Sequence, residues 1–138
     1  MYRIIKEWLQ NYLPESEWVN FNATPYVANA IGLNTVSGDR FYKKYVNGDV
    51  SRELIFSIEM VAEYDTGTSD TNIQALEECD KFLIWIEKQE FPDIGEDKRI
   101  EKIEMLSTIP DIMVNPQTGV AVYSMQMRIL YREENENA

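Results

Sequence analysis

Residues 41–64 read FYKKYVNGDVSRELIFSIEMVAEY. From Glu53 onward the stretch alternates. Leu54, Phe56, Ile58, Met60, Ala62 and Tyr64 fall on one side, and Glu53, Ile55, Ser57, Glu59, Val61 and Glu63 on the other. Period two with one apolar face predicts a half-buried β-strand. Ile55 and Val61 on the second face imply that this face is partly covered. Before the run, the segment 41–46 is β-prone and Asn47-Gly48 follows it. Asn-Gly supplies the positive φ angles of a two-residue type I′ turn, so the whole stretch predicts a hairpin.

Working outward, residues 72–90 carry Ile73, Leu76, Cys79, Leu83 and Ile86 at helical spacing, widened by Phe82 and Trp85. Thr71-Asn72-Ile73-Gln74 fits a capping box at the start of this helix. Asp65 to Asp70 form a polar loop around Gly67, and Phe91-Pro92 ends the helix. A first helix is predicted over 2–12 from Tyr2, Ile5, Leu9 and Tyr12 with Trp8 beside them, ended by Pro14. Trp18, Val19 and Phe21 read as a short strand broken by Thr24-Pro25, and residues 30–36 as another. Residues 100–107 are ambiguous: Ile100 and Ile103 suit a helix, Ile103 and Met105 a strand. Residues 112–115 and 120–132 form a final hairpin around Asn115-Pro116-Gln117-Thr118-Gly119. In its second arm Ala121, Tyr123, Met125, Met127, Ile129 and Tyr131 share a face. The expected fold is α+β in one domain, 1–138: a mixed or largely antiparallel sheet with two amphipathic helices packed against it.

Composition bounds the function. The 138 residues include 24 acidic and 13 basic ones, a formal net charge of −11, and no histidine. A duplex-DNA binder needs a basic footprint on phosphates. Without histidine, the usual neutral-pH proton shuttle and the commonest metal ligand are missing. No Walker loop, Gly-rich dinucleotide turn, His-based triad or CxxC motif occurs. The lone Cys79 permits no intrachain disulfide, fits a reducing compartment, and reads as an unreactive packing or surface thiol. Residues 1–13 lack a signal-peptide apolar core and no run is long enough to span a membrane, so the chain is expected to be mature, soluble and made in the cytoplasm.

Two carboxylate clusters remain, Glu77, Glu78 and Asp80, and Glu96, Asp97, Glu101 and Glu104. They read either as acid/base or cation sites or as solvated faces balanced by Lys81, Lys88, Lys98 and Lys102. Trp8, Trp18, Trp85 and eight tyrosines read as core or subunit contacts in preference to a stacking platform. Residues 1–69 hold nine acids and six bases, residues 70–138 fifteen acids and seven bases. The unequal halves are compatible with association between unlike surfaces, as in a head-to-tail ring.

The hairpin Phe41-Tyr42-Lys43-Lys44-Tyr45-Val46-Asn47-Gly48-Asp49, followed by Arg52-Glu53-Leu54-Ile55-Phe56, resembles the minor capsid or tail-terminator proteins of tailed phages and prophages of Gram-positive bacteria. The likeness continues through Phe82-Leu83-Ile84-Trp85-Ile86-Glu87-Lys88-Gln89, Phe91-Pro92-Asp93-Ile94-Gly95, Lys102-Ile103-Glu104-Met105-Leu106 and Ala121-Val122-Tyr123-Ser124-Met125-Gln126-Met127-Arg128-Ile129-Leu130-Tyr131. Together these cover most of residues 40–132. The resemblance implies an assembly protein that forms a hexameric ring on the tail tube, ends its polymerisation and meets the head-completion or connector protein. It implies an α/β sandwich in which 100–107 is a strand. It implies a place in the virion at the head–tail junction after assembly in the host cytoplasm, and no catalytic residue, metal or cofactor. DNA would pass through the ring, whose lumen the acidic excess would line. Phe41, Tyr42, Lys44, Tyr45, Val46, Asn47 and Gly48 are the candidate subunit or tube contacts; the other reading packs these aromatics on the adjacent helix. Competing expectations are a small enzyme with a carboxylate pair and an acidic DNA-mimic inhibitor.

Overall fold

The two alternating runs become the two longest strands. In a computed structural model, which describes residues 1–12, 19–22, 27–36, 41–64, 70–106, 110–115 and 117–135 (the side chains of Phe41 and Tyr42 excepted), the elements are α1 (Tyr2–Gln10), β1 (Val19–Phe21), β2 (Ile31–Thr35), β3 (Phe41–Lys44), β4 (Val50–Glu63), α2 (Asp70–Lys88), β5 (Lys98–Met105), β6 (Asp111–Asn115) and β7 (Val120–Glu133). Pro14, Trp18, Thr24-Pro25, Arg40 and the 65–69 loop lie outside the described residues.

β4 and β7 pair antiparallel without interruption from Val50↔Glu133 to Glu63↔Val120. Short strands flank this ribbon on both sides. β2 and β3 pair with β4, β5 and β6 pair with β7, and β1 joins β2 in parallel. The result is α+β: a mixed seven-stranded sheet with both helices packed against it. Leu54, Phe56 and Ile58 of β4 meet Tyr123, Met125, Met127, Ile129 and Tyr131 of β7 on the buried face, and α1 adds Ile5, Trp8 and Leu9. The helices also touch each other. Trp8 lies 5.7 Å from Trp85 between ring centroids, Tyr12 lies 4.9 Å from Phe82, and the Trp8 indole N–H donates to the Glu90 carbonyl at 3.1 Å.

Three local expectations are corrected. The hairpin loop is longer than a two-residue type I′ turn. Tyr45 N–H donates to the Asp49 carbonyl at 2.9 Å and Gly48 N–H to the Tyr45 carbonyl at 3.0 Å. Asn47 is not among the positive-φ residues, whereas Gly48 has φ +90°. This is the three-residue loop Val46-Asn47-Gly48, a type I turn closed by a left-handed glycine. The α2 helix starts at Asp70, so Thr71 lies in its first turn and is not a cap outside it. Its buried stripe is Ala75, Cys79, Phe82 and Ile86, leaving Ile73 and Leu76 exposed.

Of the ambiguous segment 100–107, residues 100–105 belong to strand β5, Ser107 lies outside the described residues, and the ambiguity has a cause. A bulge between Ile100 and Lys102 inserts one extra residue. Ile100 and Ile103, three apart, therefore reach the same face, where a regular strand would separate them.

The opposite face of the ribbon carries Glu53, Ser57, Glu59, Ser124, Gln126 and Arg128, and neither described helix packs on it. At one end Val61, Val120, Val122 and Ala30 make a small second apolar cluster, which accounts for Val61 in the alternating run. Ile55, the other apolar residue that β4 places on that face, is half-buried, as is Leu130 of β7.

Candidate functional site

The β3–β4 loop is tied to the end of β7 by Asp49, the residue after Asn47-Gly48. The Asp49 residue is 8% exposed. Its Oδ2 accepts from Arg132 through Nε and Nη2, both at 2.9 Å, and its Oδ1 accepts from the Asn135 backbone N–H at 2.8 Å. Asn47 closes the arrangement: its Oδ1 accepts from Asp49 N–H at 3.0 Å, and its carbonyl accepts from the Asn135 side-chain amide at 3.1 Å. The Arg132 guanidinium also sits 4.0 Å from the Tyr45 ring centroid, with the Lys43 ammonium at 5.0 Å. Both are cation–π distances. Arg52 is paired with Glu133 at 2.7 Å.

The candidate contact residues divide accordingly. Tyr45, Asn47 and Gly48 hold the hairpin to its own chain. The φ of +90° favours glycine at position 48, and a Cβ there would also displace the Asn135 side-chain amide, 2.1 Å away, from the Asn47 carbonyl. Lys44 is exposed, and Val46 at the tip is 108% exposed. Phe41 and Tyr42 lie in β3, and their side chains fall outside the described residues. With Arg52 and Arg132 in ion pairs, the exposed basic side chains of the hairpin among the described residues are Lys43, which lies over the Tyr45 ring, and Lys44. Asp49, Arg132 and Asn135 were not singled out from sequence: they stand 83 and 86 positions apart and no spacing rule joins them.

The Asn135 N–H, the Arg132 guanidinium and the Asn47 amide hold the Asp49 carboxyl below its ordinary 3.8, against the opposing effect of burial. The native value thus lies below the unfolded one. The stabilisation is complete above the ordinary carboxylate range and is lost as the pH falls below 3.8 through the lowered native value. Asp49→Asn is expected to flatten this dependence: between about pH 6 and about pH 3 its urea midpoint falls less than that of the wild type. Equal falls in both proteins would show that Asp49 does not contribute to acid sensitivity.

The acidic clusters do not converge. Glu77 and Glu78 line a groove of about 670 Å³ between α2 and the β2–β4 edge, with Tyr12, Glu63 and Lys81; Asp80 does not line it. Glu78 is paired with Lys81 at 3.2 Å and accepts from the Tyr12 hydroxyl at 3.5 Å. Burial, then the Glu78 charge, pushes the Tyr12 phenol up to about 12. Glu104 is held on the opposite sheet face by Arg128 and Lys102. Among the described residues no group of three or more Cys, Asp and Glu is placed to hold a metal ion. Cys79 is fully buried, and burial together with Asp80 and Glu78 pushes its thiol up to about 11. No described helix is long and apolar enough to cross a membrane.

No protein-family model matches the chain, and no curated protein matches it either.

Proposed function

We propose that this chain is a structural assembly protein of the phage tail-terminator kind. It acts without catalysis or cofactor, joins copies of itself into a ring on the end of a tail tube, stops tube growth and presents a surface to the head-completion protein. The observation that carries the reading is the order of motifs from Phe41 to Tyr131, which falls in turn on β3, β4, α2, β5 and β7. A ring closes through two unlike patches on each copy. Lys44 and Val46, at an exposed tip, supply one such patch, and the acid-rich second half of the chain the other. An acidic lumen would pass DNA without gripping its phosphates. In this reading the protein is assembled in the host cytoplasm and ends in the virion at the head–tail junction.

The test is complementation of a terminator-null phage scored by electron microscopy. Tails of normal length support the reading; overlong tails despite folded protein overturn it. Val46→Asp combined with Lys44→Glu, which touches no clasp residue, is expected to keep the wild-type circular dichroism and lose complementation.

A further inference from the structure

We propose that β6 is a self-pairing edge, on which a second copy of this chain docks antiparallel to extend the sheet across a two-fold axis. A free strand edge is a template for another chain unless it is short, charged, kinked or covered. The described edges differ in this respect. β1 has three residues, and its Val19 N–H already donates to the Gln10 side chain at 2.7 Å. The β3 edge carries exposed Lys43 and Lys44. β5 carries Lys98, Arg99, Glu101, Lys102 and Glu104 and is bulged. β6 is short, but its middle three residues carry no charge and no bulge. Ile112 is 48% exposed, Met113 70% and Val114 39%, and among the described residues its one pairing partner is β7.

The strand itself indicates which partner fits. Pro110 and Pro116 bracket the five residues and lack the N–H that a longer ladder needs. Pairing is therefore confined to Asp111–Asn115, and a two-fold antiparallel register centres on Met113. That register sets Met113 opposite Met113, Ile112 opposite Val114, and Asp111 opposite Asn115 of the other copy. Apolar groups meet apolar groups, and the acid meets an amide. A parallel pairing of two copies would set Asp111 against Asp111, which like charges directly opposite each other disfavour. The two-fold also brings both helical layers to the same side of the joined sheet, where the exposed Ile73 and Leu76 of α2 lie. An isolated extended peptide would cover β6 but bring no α2 of its own. With −11 on each copy, the association should strengthen as salt screens the repulsion. This contact closes at two copies, so it does not rest on the ring reading.

The experiment is single-cysteine cross-linking of the full chain. Directly opposed residues have Cα atoms about 4.5–5.5 Å apart, within disulfide reach. Met113→Cys is expected to give a covalent dimer under mild oxidation. Asp111→Cys and Asn115→Cys should each stay monomeric alone and form the dimer when mixed. Buried Cys79 does not compete. Sedimentation of the uncross-linked wild type should show a salt-promoted dimer that Met113→Lys abolishes with its circular dichroism unchanged. Self-cross-linking of Asp111→Cys as readily as Met113→Cys would overturn the register. A wild type that stays monomeric at all concentrations, or a hexamer unaffected by Met113→Lys, would overturn the docking; the hexamer would at the same time favour the ring.

Discussion

Phe56→Ala lowers the free energy of unfolding by about 3–5 kcal/mol, the range for deleting a buried aromatic ring. Phe56 lies in the middle of β4, between Thr35 of β2 and Met127 of β7, and is 0% exposed. The Tyr2 ring meets it edge-on at 6.2 Å, so the side chain also seats the start of α1. The backbone around it is held by strands on both sides and cannot collapse into the space, which leaves the lost contacts and the cavity uncompensated. Domains are stable by only about 5–15 kcal/mol, so the loss is a large fraction of the total. Urea denaturation should show a lower midpoint with the slope retained. Ile55→Ala is the control. Ile55 is adjacent in sequence but half-buried on the opposite face, across from Arg128. It should cost about 1 kcal/mol, in proportion to the smaller apolar area it buries. Equal losses at the two positions would mean that β4 does not present alternate residues to different environments.

That contrast was legible in the alternation of residues 53–64 because a strand's side-chain period is two and one face of this sheet is covered by helices. The same logic reads β7 from Ala121 to Tyr131. Legibility stops where a residue's role depends on partners distant in sequence or on size in place of hydrophobicity. Ala75 adds little to an apolar stripe, yet it lies on the buried side of α2 with Cys79 and Phe82, while the larger Ile73 and Leu76 face outward. In β5 one extra residue at the bulge left the pattern ambiguous between helix and strand. In the hairpin, Asn47-Gly48 announces a turn correctly but not its length. The length is held by Asn47 accepting from Asp49 N–H and by Asp49 reaching Arg132 and Asn135, none of which a local rule contains. The same long-range clasp seats the Tyr45 ring against its own chain's arginine, a contact that no local pattern announces.

Arg128→Ala is expected to destabilise the fold by about 1–3 kcal/mol, less than the figure for a fully buried ion pair because water reaches these groups. Arg128 stands on the helix-free sheet face between two acids. It pairs with Glu53 at 3.7 Å and hydrogen-bonds Glu104, which also pairs with Lys102 at 2.9 Å. The three side chains of the central group are 28%, 22% and 23% exposed. Removing the guanidinium leaves Glu53 without its cation in a half-desolvated position, and Glu104 with Lys102 alone. Adding Glu53→Gln and Glu104→Gln to Arg128→Ala should therefore recover part of the loss, whereas the two glutamines in the wild-type background should themselves destabilise, since they leave the arginine charge unpaired. Among the described residues the buried Arg128 Nε has no hydrogen-bond partner, so these residues do not satisfy the group completely. The combined replacement Arg128→Met, Glu53→Gln and Glu104→Gln should consequently lie within about 1 kcal/mol of wild type in urea denaturation, because it removes all three charges together and leaves none of them half-desolvated and unpaired. A triple variant as unstable as Arg128→Ala would instead mean that the triad itself holds β5, β7 and β4 in register. In the first outcome, the triad's net contribution to stability is small, and what it removes is charge: the centre of this face presents neither a free acid nor a free base. The acidic side chains that β4 still offers on this face beside that neutralised centre are those of Glu59 and Glu63.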